Sequence, residues 1–145
     1  MKVAIGSDHG GFALKETIVR HLKEQGITVE DFGTHSTESC DYPIFAKKAA
    51  EAVASGECEK GIVVCTTGIG VSMVANKVKG IRCAVCTDPT VARMTRLHND
   101  ANMIALGGGI IGELIATDIV DTFLNTPFSE EEKHIRRVGM IEETE

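Results

Sequence analysis

The sequence predicts an α/β domain in which one five-stranded parallel sheet carries helices on both faces, with a further helix at the C-terminus. Three observations predict it. Short apolar segments rich in β-branched residues alternate with segments of helical period along the whole chain. Some of the apolar segments run without polar interruption, as strands covered on both faces do. Glycine and proline punctuate the joints between the two kinds of segment.

The elements follow in order. Residues 2–6 (KVAIG) read as a first strand, and Gly10-Gly11 turn it into a helix carrying Leu14, Ile18, Val19 and Leu22 at helical spacing. Gly26 stands where a C-terminal cap belongs. Residues 27–32 (ITVEDF) form a second strand, and Pro43 opens a helix with Ala46, Ala49, Ala50 and Val53 inward, closed by Gly56. Residues 61–65 (GIVVC) have the character of a strand buried on both faces, followed by the loop 66–70 and a helix to about Val78. The pattern repeats with a strand at 81–86, a helix near 90–97 and a strand at 102–106. Helices at 112–124 and 129–141 complete the chain, with no linker and no internal repeat, so residues 1–145 form a single domain.

Composition narrows the function classes. The chain is 43% apolar and 25% charged, ordinary for a globular protein. No apolar run approaches the ~20 residues that cross a bilayer, and the first residues lack a signal-peptide layout. The expectation is a cytoplasmic protein without a membrane partner. A net charge of −6 argues against a nucleic-acid partner. The basic run Lys133-His134-Ile135-Arg136-Arg137 fits either a small anion or a solvated helix face. Five cysteines cannot all pair within one chain, and reduced thiols are expected. Cys83 and Cys86 have C-x-x-C spacing, but inside a strand-like run this is weak evidence for metal or redox chemistry.

Parallel sheets place ligands beyond the carboxyl ends of their strands, so the residues just after strands carry the chemistry. The segment CTTGIGVS at 65–72 puts two glycines between a strand and a helix, where backbone N–H groups converge on an anion. It is neither a Walker loop nor a full GxGxxG, and a tight turn with close helix packing is the plainer reading. Cys65 closes the strand before that loop. A buried cysteine is usually an inert hydrophobe, but a thiol facing amide donors is a candidate base or nucleophile. Asp8 and His9 follow the first strand and either meet a ligand or serve as helix cap and exposed side chain. His98, in RLHND at 96–100, is either a proton donor or a helix-end histidine favoured by the dipole.

The order of these motifs resembles the ribose-5-phosphate isomerase B/galactose-6-phosphate isomerase family over almost the whole chain. The resemblance rests on GSDHGGFALK (6–15), DFGTHS (31–36), DYP (41–43), GIVVCTTGIGVSMVANKVKGIR (61–82), RLHNDANMIALG (96–107) and HIRRVGMI (134–141). It implies a Rossmann-like, flavodoxin-type sheet, no metal or organic cofactor, and a homodimer or dimer of dimers whose sites form between subunits. The implied ligand is a sugar phosphate, and the implied reaction moves a proton between C2 and C1 of the open-chain sugar. Cys65 matches the family base, and Thr67 with the amides of Gly68, Ile69 and Gly70 matches the enediolate-stabilising group. His98 of a neighbouring subunit matches the acid that opens the furanose ring. Asp8, Tyr42, Thr66 and Asn99 fall at sugar-binding positions, and His9, Lys133 and Arg137 at phosphate-binding ones.

The chain departs from that pattern at four places. Gly109 and Lys133 stand where arginine is common, Thr66 replaces a usual glycine, and the segment 129–132 is one residue longer. A lysine is a point charge and cannot reproduce a bidentate arginine grip. These departures bear on which sugar phosphate is used. Ribose 5-phosphate with ribulose 5-phosphate is the leading expectation, a hexose 6-phosphate such as allose or galactose 6-phosphate the rival. A non-catalytic sugar-phosphate sensor on the same sheet is a third, which would have no need of a base.

Overall fold

Strand and helix alternate until the last two elements, both helical. In the computed structural model, which describes residues 1–145, the order is β1 (Lys2–Ser7), α1 (Phe12–Glu24), β2 (Thr28–Asp31), α2 (Tyr42–Ala54), β3 (Lys60–Cys65), α3 (Ile69–Ala75), β4 (Cys83–Val85), α4 (Pro89–Asn99), β5 (Met103–Gly107), α5 (Glu113–Asn125) and α6 (Glu132–Glu143). Every strand pair is parallel. The sheet order is β2-β1-β3-β5-β4, so the α/β sheet and C-terminal helix match the expectation. Within it, the flavodoxin order 2-1-3-4-5 holds for three strands and the last two are exchanged. The exchange puts β3 between β1 and β5, which makes the turns after these three strands neighbours.

Side chains alternate between the two faces of each strand. Val3, Ile5, Ile62, Val64, Ile104 and Leu106 pack against Leu14, Ile18 and Leu22 of α1 and Ile119 and Phe123 of α5. Ala4, Val63, Cys65, Met103 and Ala105 point the other way, onto Ala46, Ala49, Ala50 and Val53 of α2 and Val71 and Ala75 of α3. Each fully buried residue of this size contributes about 1.5–3 kcal/mol, and the alanines of α2 give up some of that to bring helix and sheet close. The closeness is visible at Gly6, where a side-chain carbon would stand 2.8 Å from the Phe45 carbonyl oxygen.

Two elements are shorter than their hydrophobic pattern. The segment 81–86 supplies only Cys83–Val85 as strand, because the Arg82 N–H is taken by the Asn102 side chain at 2.8 Å. α3 stops at Ala75, and Asn76 turns to bond both the N–H and the C=O of Cys83, at 2.8 and 2.9 Å. α6 starts at Glu132 rather than 129. The preceding residues instead form a cap in which Ser129 Oγ accepts the Glu131 N–H at 3.2 Å.

Helices that connect parallel strands run back along the sheet. The ends of α1, α2, α3 and α4 therefore lie at the amino edge, while the turns after β1, β3 and β5 lie at the carboxyl edge. A six-residue strand such as β3 separates the two edges by about 20 Å.

Candidate active site

Three turns meet at the carboxyl edge. Asp8 is 7% exposed, and its Oδ1 accepts the Gly11 N–H at 3.0 Å, which turns β1 into α1 and leaves the second oxygen for a ligand. Gly108 and Gly109 donate their N–H groups to the carbonyls of Cys65 and Thr66, at 2.8 and 2.9 Å. Thr66 is wedged between the other two turns. A side chain on Gly10 would collide with its hydroxyl, and one on Gly109 would come within 2.9 Å of its methyl.

The loop after β3 distributes its amides in a definite way. Gly68 has φ +81°, and a side-chain carbon there would stand 2.9 Å from the carbonyl carbon of Leu106, so only glycine fits. Its N–H points at Cys65 Sγ, 3.1 Å away, a bond that a thiolate accepts more strongly than a thiol. The Ile69 N–H goes to Thr67 Oγ1 at 3.2 Å. Having accepted that bond, the Thr67 hydroxyl keeps its own proton for an incoming oxygen. The Gly70 amide makes no bond within the chain. Tyr42, the first residue of α2, lies over Gly70, with its ring 2.7 Å from where a side-chain carbon would be. His9 is exposed, and its Nδ1 accepts the Cys40 N–H at 3.2 Å. The neutral ring therefore presents Nε2–H outward.

Three other thiols, Cys58, Cys83 and Cys86, are held protonated by their surroundings. Burial, aided by the Glu30 carboxylate, pushes Cys58 up to about 11, and burial pushes Cys86 up to about 12. Burial likewise raises Cys83. Cys83 packs with the α2/α3 side and Cys86 with the α1/α5 side. The C-x-x-C spacing therefore sends two protonated thiols to opposite faces and forms no site.

The remaining sequence-derived candidates lie at the amino edge. His98 is half-buried and Asn99 exposed at the end of α4. Asp100 follows in the left-handed region, φ 47°, held by two arginines. Arg82 donates to the Asp100 carbonyl at 2.8 Å and to the Asn99 carbonyl at 3.2 Å, and pairs with Glu142 of α6. Arg96, 6% exposed, donates to Asp100 Oδ1 at 2.8 Å, the Ala101 carbonyl at 2.7 Å and the Thr126 carbonyl at 2.9 Å. In HNDAN, then, Asn99 faces outward and His98 is half-buried, while Asp100 and Asn102 hold the turn. Lys133 and Arg137 stand one turn apart on the exposed side of α6. A cavity of about 570 Å³ opens on this side of the molecule, lined by Asn99, Arg82 and Ile141 among others, away from Cys65.

A single chain thus brings together Asp8, His9, Tyr42, Cys65, Thr66, Thr67, Gly68, Ile69 and Gly70. It does not bring His98, Asn99, Lys133 or Arg137 to them. Sequence reasoning missed His134, which is buried beside His98 with ring centroids 4.5 Å apart. Its place in a run of charged residues hid it, and Glu131 three residues earlier was the available signal for a capped, inward histidine.

Residues 3–141 match the sequence profile of the family described as Ribose/Galactose Isomerase. Ribose-5-phosphate isomerase B of Escherichia coli (strain K12) is 47% identical over 140 residues, covering 97% of this chain and 93% of that protein. The structure of ribose-5-phosphate isomerase B from Clostridium thermocellum superposes with a TM-score of 0.97 at 57% identity, covering 99% of this chain and 97% of the other. That of ribose-5-phosphate isomerase B from Mycoplasma genitalium, with bound ribulose 5-phosphate, gives 0.93 at 36% identity, covering 99% and 95%.

Proposed function

The chain belongs to the ribose/galactose isomerase family, and from that premise we propose how its residues interconvert ribose 5-phosphate and ribulose 5-phosphate. It is an aldose–ketose sugar-phosphate isomerase. Cys65, as thiolate, removes the proton from C2 of the open-chain aldose and returns it to C1, while the O2 proton passes to O1. The intermediate enediolate takes hydrogen bonds from the Thr67 hydroxyl and the Gly70 amide, two loop donors that the protein leaves unengaged. A positioned base contributes about 10²–10⁴-fold, so stabilisation of the enediolate must supply much of the rest. Asp8 and Tyr42 bind sugar hydroxyls, and His9 donates Nε2–H to the phosphate.

The observation that carries this assignment is the Gly68 N–H to Cys65 Sγ bond of 3.1 Å at the mouth of the glycine loop. A second observation supports a homodimer, alone or paired into a dimer of dimers. His98, Asn99, Lys133 and Arg137 sit about 20 Å from Cys65 at the other sheet edge, and only a second copy brings them to it. Exposed Ile69, Met73, Ile110 and Leu114 around the carboxyl edge, and exposed Ile135 and Met140 on α6, supply apolar surface for the contact. In the assembled site His98 of one copy protonates the ring oxygen as the furanose opens, and Lys133 and Arg137 add charge at the phosphate. No helix is long and apolar enough to cross a membrane, and five unpaired thiols suit the cytoplasm.

Incubating the protein with ribose 5-phosphate in deuterated water should give ketose with deuterium at C1. Binding without exchange would instead make the chain a sensor. Gly109, which brings no cation to the turn beside Thr66, favours one rival, a hexose 6-phosphate substrate. The ratio of kcat/KM on ribose 5-phosphate and on allose and galactose 6-phosphates decides between them.

A further inference from the structure

His134 has no part in the mechanism above, yet it is the one buried histidine of the chain. It is 6% exposed, on the inward side of α6. Its Nδ1 lies 2.7 Å from Ser129 Oγ and 3.2 Å from Glu131 Oε2. The hydroxyl can donate to or accept from that nitrogen, whereas the carboxylate beside it only accepts. The cap that supplies Ser129 and Glu131 is tied to α4 through the Ser129 N–H and the Leu97 carbonyl, at 3.2 Å. The His98 ring, next along α4, lies against the His134 ring with centroids 4.5 Å apart and planes tilted by 35°. Cap, His134 and His98 form one packed unit.

The charges around His134 come from three elements: Glu131 of the cap, Lys133 and Arg137 of its own helix, and His98 of α4. Burial, then the neighbouring His98, hold His134 below the usual histidine value, against the opposing pull of Glu131. Two imidazolium rings at this separation repel, so a charge on His98 disfavours one on His134.

We propose that His134 is a positioning residue for His98, fixing the plane of that ring and remaining neutral so that His98 carries the mobile proton. The proposal rests on the isomerase reading, in which His98 opens the sugar ring. It makes the pair, rather than His98 alone, the unit that delivers the proton.

The test uses the full-length assembled enzyme with His134→Ala and His134→Phe, the second keeping an aromatic platform that cannot titrate. On ribose 5-phosphate, His134→Ala should lose about tenfold or more in kcat with KM within about twofold. His134→Phe should recover most of that loss. Imidazole proton NMR of the wild type should show His98 titrating in two coupled steps, and in His134→Phe in one. A change confined to KM would make His134 a phosphate contact and overturn the proposal. So would equal kcat in His134→Ala and wild type, or a Phe variant as slow as the Ala variant. If His134→Ala does not assemble, the NMR titration and the Phe variant decide, and an unchanged titration overturns the proposal. A wild-type enzyme without turnover would count against the isomerase reading instead, while the titration would still report on the pair.

Discussion

The two edges of the sheet are built from different materials. At the carboxyl edge, main-chain amides do the holding: Gly108 and Gly109 bond the carbonyls of Cys65 and Thr66, Gly68 bonds the Cys65 sulfur, and Gly11 bonds the Asp8 carboxylate within its own turn. At the amino edge, long side chains do the holding, since Arg82 and Arg96 converge on the turn at Asp100 and tie α4 to α6. Main-chain turns need particular residues at particular places, and they fix donors to within fractions of an ångström. Side-chain clamps bring together segments distant in sequence. A proton abstraction needs the first kind of precision.

The comparison can be broken at either edge. The largest effect is expected from Cys65→Ala, which should lower kcat by about 10³-fold or more while assembly mass and ribulose 5-phosphate binding persist. Near-normal turnover would remove Cys65 from the chemistry. Next comes mixing. Cys65→Ala and His98→Asn chains, each inactive alone, should regain about a quarter of wild-type activity when refolded together, because hybrid dimers carry one intact site. No recovery despite hybrids seen by mass would place both groups of one site in the same chain.

Arg96→Met should leave the carboxyl edge intact but orphan the Ala101 and Thr126 carbonyls, costing about 3 kcal/mol in urea unfolding. An unchanged midpoint would mean that the amino edge does not depend on this clamp. The smallest effect concerns pH. His134 is held below 6.5 in the fold, so its contribution to stability is complete above that pH and is lost as the pH falls through the lowered value. The acid side of the stability curve should therefore flatten in His134→Phe. On the alkaline side, Cys58 is raised from 9.0 to about 11. Its contribution is present below 9.0 and is lost as the pH climbs towards about 11, a decline that Cys58→Ala should reduce.

The same contrast explains what could be read from the sequence. Strands and helices were legible from apolar period, and the carboxyl-edge turns from glycines standing directly after strands. Cys65 stood out among five thiols through its place before such a turn, and its Sγ does meet a loop amide. Less was legible at the amino edge. Nothing local in 81–86 foretold that Asn102 would take the Arg82 N–H and shorten the strand. The exchange of the last two strands depends on which helix covers which face, a property of the whole sheet. His134 looked like one more member of a basic run because its partners, Ser129 and His98, are a cap residue and a residue on another helix. Contacts between distant segments leave no period to find.

Asn76 has a wider consequence than ending α3. By bonding both backbone groups of Cys83 that point away from β5, it occupies one of the positions at which a foreign strand would dock. An exposed, apolar final strand is otherwise a template for runaway edge-to-edge pairing. A foreign strand would have to displace the Asn76 side chain before it could pair along β4 at Cys83. Asn76→Ala should therefore show itself first in turbidity on prolonged warming, ahead of any loss of turnover.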